Sequence, residues 1–231
     1  MKFSALLRKE FRECIPWLLL AAVVFFGFGG FCLRAFATFR DPNIYFSRFS
    51  PGSIVEPYQL IHYSPLRTTG QWLLLTSIGL GLSLGVRHFW IPYFTETWPF
   101  LLHRSVDRKT VLAAKLTAVT IAFVISLGPL WVCLYWYANR PQLFTMPQTA
   151  RVFIEGWIFI LLGLVVYLGT ALSGLSTAKW YTTRIFGLAF ATVIIIVTFS
   201  QWRLAWAFVT VAIAVFILLS QIISLFLNRE F

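Results

Sequence analysis

Two observations predict that this sequence folds as an all-α membrane protein with six transmembrane helices. Of its 231 residues, 59% are hydrophobic and only 12% are charged, and the mean hydropathy is +0.79. A soluble domain carries about 25% charged residues and does not leave so much apolar surface in water. Six stretches also approach the length of about 20 apolar residues that spans a bilayer. They are Pro16–Phe36, Gln71–Phe89, Val111–Tyr137, Phe153–Leu175, Arg184–Ser200 and Arg203–Leu227. We expect residues 1–231 to form a single transmembrane domain.

The first element, residues 1–14, is amphipathic. Apolar side chains recur in an i, i+3, i+4 rhythm, and the basic residues fall on other faces; the apolar set is Phe3, Leu6, Leu7, Phe11 and Cys14. This pattern predicts an interfacial helix in the plane of the membrane, with a plain basic flank that only sets orientation as the alternative. We expect Pro16 to break that helix and to begin the first span.

The connection between the first two spans, residues 37–70, is the longest loop. It combines four prolines with aromatic residues, namely Pro42, Pro51, Pro57 and Pro65 with Tyr45, Phe46, Phe49, Tyr58 and Tyr63. This composition favours a segment folded against the outer membrane surface, with part of a pathway through the protein as the alternative.

The second span carries small residues at helical spacing. Ser77, Gly81 and Gly85 are four residues apart, so they share one face of the helix. Small residues let helices approach closely in membranes. We expect this face to pack against another helix, either within the chain or between subunits.

Ionisable residues are absent from the middle of the predicted spans. Glu155 is the nearest case, close to a membrane border and one helical turn after Arg151. This spacing favours a local ion pair over a proton relay.

The connection between the second and third spans, residues 90–110, combines apolar and charged side chains. Thr97 is suited to cap a short helix, and the run from Trp98 to Leu102 follows it before His103 and Arg104. Exposed apolar residues surrounded by charge are typical of a docking surface. The sequence therefore predicts a short cytoplasmic helix that contacts a partner.

The lysine and arginine residues divide unevenly between the two sides of the membrane. Counted across the six spans, twelve of the 19 lie on the side of the termini, including all five lysines, and seven on the other. The positive-inside rule then places both termini in the cytoplasm. We interpret the net charge of +11 as setting topology and contacting anionic lipid, and we expect no binding to nucleic acid.

Motifs for enzymatic chemistry are missing from the sequence. It contains no G-x-x-x-x-G-K-[ST] phosphate loop, no H-E-x-x-H, no G-x-S-x-G and no acidic metal cluster. We therefore expect no catalytic residue, cofactor-binding residue or metal ligand in this chain. Any work driven by ATP would depend on another chain.

Three stretches form a recognisable set. LRKEFRE (residues 7–13) precedes the first span, ETWPFLL (residues 96–102) is followed by Val106-Asp107-Arg108, and Ala114-Lys115 enters the third span. Together with six spans and both termini inside, these stretches resemble the permease subunits of ABC transporters of the type-2 exporter class.

The resemblance implies a role for each stretch. Residues 1–14 would be an elbow helix, and residues 97–104 would be a coupling helix that inserts into a separate cytoplasmic ATPase subunit, which would bind ATP and Mg. Two permease copies, identical or related, would form the pathway in the plasma (inner) membrane, exporting an apolar or amphipathic substrate. The residues implied in coupling are Thr97, Trp98, Phe100, Leu101, Leu102, Arg104 and Arg108.

Two alternatives share this topology. In the first, the chain is a membrane anchor or assembly subunit of a complex that transports nothing, and the 97–104 stretch binds a partner other than an ATPase. In the second, it is a membrane-embedded enzyme that modifies lipids, which would need a polar site near a membrane border.

Overall fold

The computed structural model describes residues 2–38, 65–95, 107–140, 149–176, 185–201 and 203–228. Every regular element in these ranges is helical. The α-helices are α1 (Lys2–Thr38), α2 (Pro65–Gly85), α3 (Ile91–Phe94), α4 (Arg108–Ala138), α5 (Ala150–Leu175), α6 (Phe186–Ser200) and α7 (Leu204–Asn228). A π-helical turn, Val86–Trp90, joins α2 to α3.

The helices confirm an all-α membrane protein. Five segments are long and apolar enough to cross a membrane: those formed by α1, by α2 with α3, by α4, by α5 and by α7. The remaining predicted span, α6, is apolar but has only 15 residues. Its length of about 22 Å is less than the roughly 30 Å of a hydrocarbon core.

The predicted break at Pro16 is wrong, because α1 continues through this residue as one helix of 37 residues. A proline costs one backbone hydrogen bond, and neighbouring helices make this tolerable in membrane proteins. One buried stripe, at spacings of three and four residues, runs past the exposed proline: Glu10, Cys14, Leu18, Ala21 and Phe25. Because packing continues on both sides of Pro16, residues 2–14 extend the first span and do not form a separate elbow helix.

The loop boundaries also differ from the prediction. The helix α1 reaches Thr38 and α2 begins at Pro65, so the predicted loop 37–70 includes residues of both helices. In the predicted loop 90–110, α3 covers Ile91–Phe94 and α4 begins at Arg108. The rest of both loops, residues 39–64 and 96–106, lies outside the described residues.

The helix α5 occupies the centre of the bundle and packs against α2, α4, α6 and α7. In its most apolar window 83% of the residues are buried, against 22% in α7. Two tryptophans bind its backbone: Trp90 Nε1 donates to the Thr170 carbonyl and Trp131 Nε1 to the Phe153 carbonyl, each at 3.0 Å. These indoles anchor the π-helical turn and α4 to the central helix.

Close backbone contact also joins α5 to α6. A Cβ added at Gly169 would meet the Gly187 carbonyl oxygen, and the Leu188 amide donates to Ser173 Oγ at 3.3 Å.

At the other end of α5, Arg151 Nε and Glu155 Oε1 are 3.0 Å apart, which confirms the predicted local ion pair.

Candidate functional site

Five polar side chains from four parts of the fold meet inside one end of the bundle. The helix α1 contributes Glu10 and Cys14, the π-helical turn contributes His88, α4 contributes Lys115 and α5 contributes Tyr167. All five residues are buried. We call this set the polar cluster.

The strongest contact of the polar cluster is an ion pair. Lys115 Nζ donates to Glu10 Oε2 at 2.9 Å, and the two side chains are only 6% and 5% exposed. Charges taken out of water are costly unless they are paired. The pair therefore ties the third turn of α1 to the third turn of α4, across 105 residues of sequence.

His88 connects this ion pair to the central helix. Its Nε2 atom lies 3.7 Å from Cys14 Sγ and 3.9 Å from Glu10 Oε2. Its Nδ1 atom lies 3.3 Å from the Tyr167 hydroxyl oxygen. The histidine thus lies between α1 and α5, with a polar group facing each ring nitrogen.

The π-helical turn explains how His88 reaches this position. A π-helical turn widens an α-helix by one residue and is frequent at functional sites. Here His88 and Phe89 are adjacent in sequence and both are buried. The widened turn directs both rings into the bundle, where Phe89 packs against Tyr167 with ring centroids 6.1 Å apart.

A second, partly exposed set of charges borders the polar cluster. Arg87 Nη2 lies 3.6 Å and Lys9 Nζ lies 3.8 Å from the Glu13 carboxylate. These side chains are between 37% and 51% exposed, so solvent weakens their attraction. They mark the border between the polar cluster and the surface of the bundle.

The polar cluster brings five different polar groups together. It combines a carboxylate, an ammonium group, an imidazole, a thiol and a phenol, each facing another member. Among the described residues, no group of three or more His, Cys, Asp or Glu side chains is arranged to hold a metal ion. What the arrangement does is hold α1, the π-helical turn, α4 and α5 together at one end of the bundle.

The predicted coupling residues fall mostly outside the part of the chain that the structure describes. This is the case for Thr97, Trp98, Phe100, Leu101, Leu102 and Arg104. The last one, Arg108, is the first residue of α4 and lies two turns before Lys115. The stretch that would carry coupling therefore leads directly into the helix that holds the polar cluster.

The predicted small-residue face of α2 lies against α5. A Cβ added at Gly81 would meet the Gly163 carbonyl oxygen, and one at Gly85 would lie 2.6 Å from Thr170 Cβ. In return, a Cβ added at Gly163 would lie 2.7 Å from Ser77 Cβ. All three positions are therefore used within the chain, where α2 and α5 touch backbone to backbone.

Sequence reasoning missed the polar cluster. It placed Lys115 at the entry of the third span and Glu10 in the predicted interfacial helix, and it gave neither residue a buried partner. The available signal was the apolar stripe of α1, in which Glu10 stands four residues before the buried Cys14. A charge inside a buried stripe needs a partner, although the sequence does not say which one.

Comparison with known proteins adds no relative. No family model matches the chain, and no curated protein and no solved structure is significantly similar to it.

Proposed function

We propose that this chain is the membrane-spanning permease subunit of an ATP-driven exporter of the ABC type-2 class. It would lie in the plasma (inner) membrane with both termini in the cytoplasm. A separate ATPase subunit would bind ATP and Mg, and a second permease chain would complete the pathway. The cargo would be apolar or amphipathic.

One observation supports this proposal above the others. Two of the three stretches that resemble the family bind one another through the buried pair of Glu10, from LRKEFRE, and Lys115, from Ala114-Lys115. The third stretch lies between Phe94 at the end of α3 and Arg108 at the start of α4. Two of the motifs, far apart in sequence, thus meet at one end of the bundle, and the third precedes Arg108, the first residue of the helix that contributes Lys115.

This connection suggests how movement would be transmitted. Force on the 97–104 stretch would reach α4 directly, because α4 begins at Arg108. Lys115 would pass it to α1 through Glu10, and His88 would pass it to α5 through Tyr167. In this proposal the polar cluster makes the helices respond together, and the ATPase supplies the energy.

The first test identifies the partner. The tagged chain is purified from its native membrane in mild detergent after crosslinking, and co-purifying proteins are identified by mass spectrometry. The proposal expects a stoichiometric subunit with a G-x-x-x-x-G-K-[ST] loop. A preparation that contains only other partners would favour the anchor or assembly subunit instead.

The second test locates the contact. Leu101→Asp should abolish co-purification of the ATPase subunit while the chain still inserts into the membrane, because a carboxylate would enter an apolar contact. Leu143→Asp is the matched control, since the charge count assigns its loop to the opposite side of the membrane. Equal recovery of the ATPase subunit with both variants would contradict a coupling role for residues 97–104.

A further inference from the structure

An apolar groove runs between α1 and α2, on the side of α2 that faces away from α5. Its volume is about 290 Å³, and its walls include Trp17, Val24 and Phe28 of α1 and Trp72 and Gly79 of α2. The groove belongs neither to the polar cluster nor to the predicted coupling stretch.

The walls offer almost no polar contacts to an occupant. Two hydroxyl groups line the groove, and both donate to their own helix: Thr76 Oγ1 to the Trp72 carbonyl and Ser83 Oγ to the Gly79 carbonyl, each at 2.8 Å. An occupant therefore meets aromatic rings, aliphatic side chains and the bare backbone of Gly79. Such walls suit a hydrocarbon chain.

The length of the groove matches one leaflet of a bilayer. Trp17 and Phe28 are eleven residues apart on α1, which corresponds to about 16 Å along the helix. At the Phe28 end the ring stacks on Trp72 with centroids 4.9 Å apart. Half of a hydrocarbon core is about 15 Å thick, so an acyl chain that enters at the Trp17 end ends near this aromatic pair.

The end of the groove at Trp17 is bordered by charge. Ser83 lies four residues before Arg87 on α2, and Trp17 lies four residues after Glu13 on α1; Arg87 and Glu13 are paired at 3.6 Å. Lys9, one turn before Glu13 on α1, lies 3.8 Å from the same carboxylate. At this end of the groove two cations, Arg87 and Lys9, therefore face one carboxylate, that of Glu13.

We propose that the groove binds an anionic phospholipid, with one acyl chain between α1 and α2 and the phosphate beside Arg87. A basic cluster at a membrane surface attracts anionic headgroups, and the groove gives the attached chain a defined place. This inference does not depend on the proposed transport function.

Charge also argues against a second copy of the chain as the occupant. Two copies related by a two-fold axis along the membrane normal would bring equal depths of the bundle together. The basic ends of both grooves would then face one another, and like charges would repel. The negative headgroup of a lipid would instead be attracted to these basic residues.

Native mass spectrometry of the purified full chain tests the proposal. Dioleoyl phosphatidylglycerol is the anionic probe, and phosphatidylcholine with the same chains is the zwitterionic one. We expect one phosphatidylglycerol to remain bound at collision energies that remove phosphatidylcholine. Equal retention of the two lipids would overturn the proposal.

Two glycine variants separate the groove from the general lipid surface. A Cβ at Gly79 or at Gly30 meets no other atom within 4 Å, but only Gly79 lines the groove. Gly79→Phe should lower phosphatidylglycerol occupancy at least fivefold by filling the groove, whereas Gly30→Phe should leave it unchanged. Equal occupancy in both variants would exclude the groove as the binding site.

Two further measurements test the headgroup contact and the possibility that a second copy of the chain fills the groove. Arg87→Gln should lower the preference for phosphatidylglycerol over phosphatidylcholine about fivefold, the effect of one basic residue at a membrane surface. It fills no space, so it tests the headgroup contact even if Gly79→Phe does not fold. If Gly79→Phe abolishes self-association and leaves lipid occupancy intact, a second copy occupies the groove and the lipid proposal is wrong.

Discussion

Glycine residues on the two faces of α2 have opposite effects on helix packing. On one face, Gly81 lies against the Gly163 carbonyl so closely that no side chain fits. Two residues earlier, a Cβ at Gly79 would meet nothing within 4 Å, and Gly79 lines the groove against α1. The absence of a side chain brings α5 close on one face and keeps a space open on the other.

The helices α1 and α5 therefore pack against α2 in different ways. The contact between α2 and α5 is continuous backbone packing, with Gly81 and Gly85 as its closest points. The contact between α1 and α2 is interrupted by a groove of about 290 Å³. The helix α1 therefore depends more on α4, and on the ion pair between Glu10 and Lys115.

The largest effect should come from breaking that ion pair. Lys115→Met leaves Glu10 buried without its partner, and we expect the free energy of unfolding to fall by about 3–5 kcal/mol. Titration with sodium dodecyl sulfate, followed by circular dichroism, measures this change. Lys109→Met is the control on the same helix, because Lys109 is exposed.

A double variant shows whether the loss comes from an unpaired charge. Replacing both partners, Glu10→Leu with Lys115→Met, leaves no buried charge and should recover most of the stability. If Lys115→Met is as stable as Lys109→Met, α1 does not depend on this pair.

The next largest effect should come from the closed face of α2. In Gly81→Val the new side chain meets the Gly163 carbonyl oxygen and, at 3.1 Å, the Tyr167 amide nitrogen. Both belong to the backbone of α5, so α2 must shift, and we expect a loss of about 1–3 kcal/mol in the same titration. Unchanged stability would mean that the two helices do not touch here.

A smaller effect should follow from removing the hydroxyl group of Tyr167, a residue of α5. Tyr167→Phe keeps the ring against Phe89 but leaves His88 Nδ1 without its partner at 3.3 Å. We expect a loss of about 1 kcal/mol, the usual net value of a hydrogen bond. If Lys115→Met already disrupts the polar cluster, Tyr167→Phe should cost less in that background than in the wild type, and a double-mutant cycle measures the difference.

The smallest effect should come from the open face. Gly79→Val points into free space, so the free energy of unfolding should change by no more than about 0.5 kcal/mol. The comparison of Gly79→Val with Gly81→Val uses one substitution at two positions of one helix. A large loss at both positions would show that the groove is closed in the folded protein.

Much of the fold was predictable because hydropathy and spacing are local properties. The six apolar stretches became helices, and the four-residue spacing of Ser77, Gly81 and Gly85 identified the closely packed face of α2. The spacing puts Gly81 on that face and Gly79 on another, but the sequence does not show which helix lies opposite either residue. Only the tertiary structure shows that α5 is the helix that packs against Gly81.

The errors arose where distant contacts override a local rule. The rule that proline ends a helix failed at Pro16, because buried residues continue past it along one side of α1. The polar cluster was missed because Glu10 and Lys115 are 105 residues apart. A charge near the end of an apolar stretch looks the same in sequence whether it is solvated or buried.

The uninterrupted α1 has a consequence for the shape of the protein at the membrane. A helix of 37 residues is about 55 Å long, whereas a bilayer with its headgroups measures about 40–45 Å. An upright α1 therefore extends past the headgroups by about two turns, and only a tilt near 40°, at the limit of what such helices adopt, would contain it. Because α1 continues as one helix through Pro16, a displacement of its protruding end is passed along the same helix into the membrane.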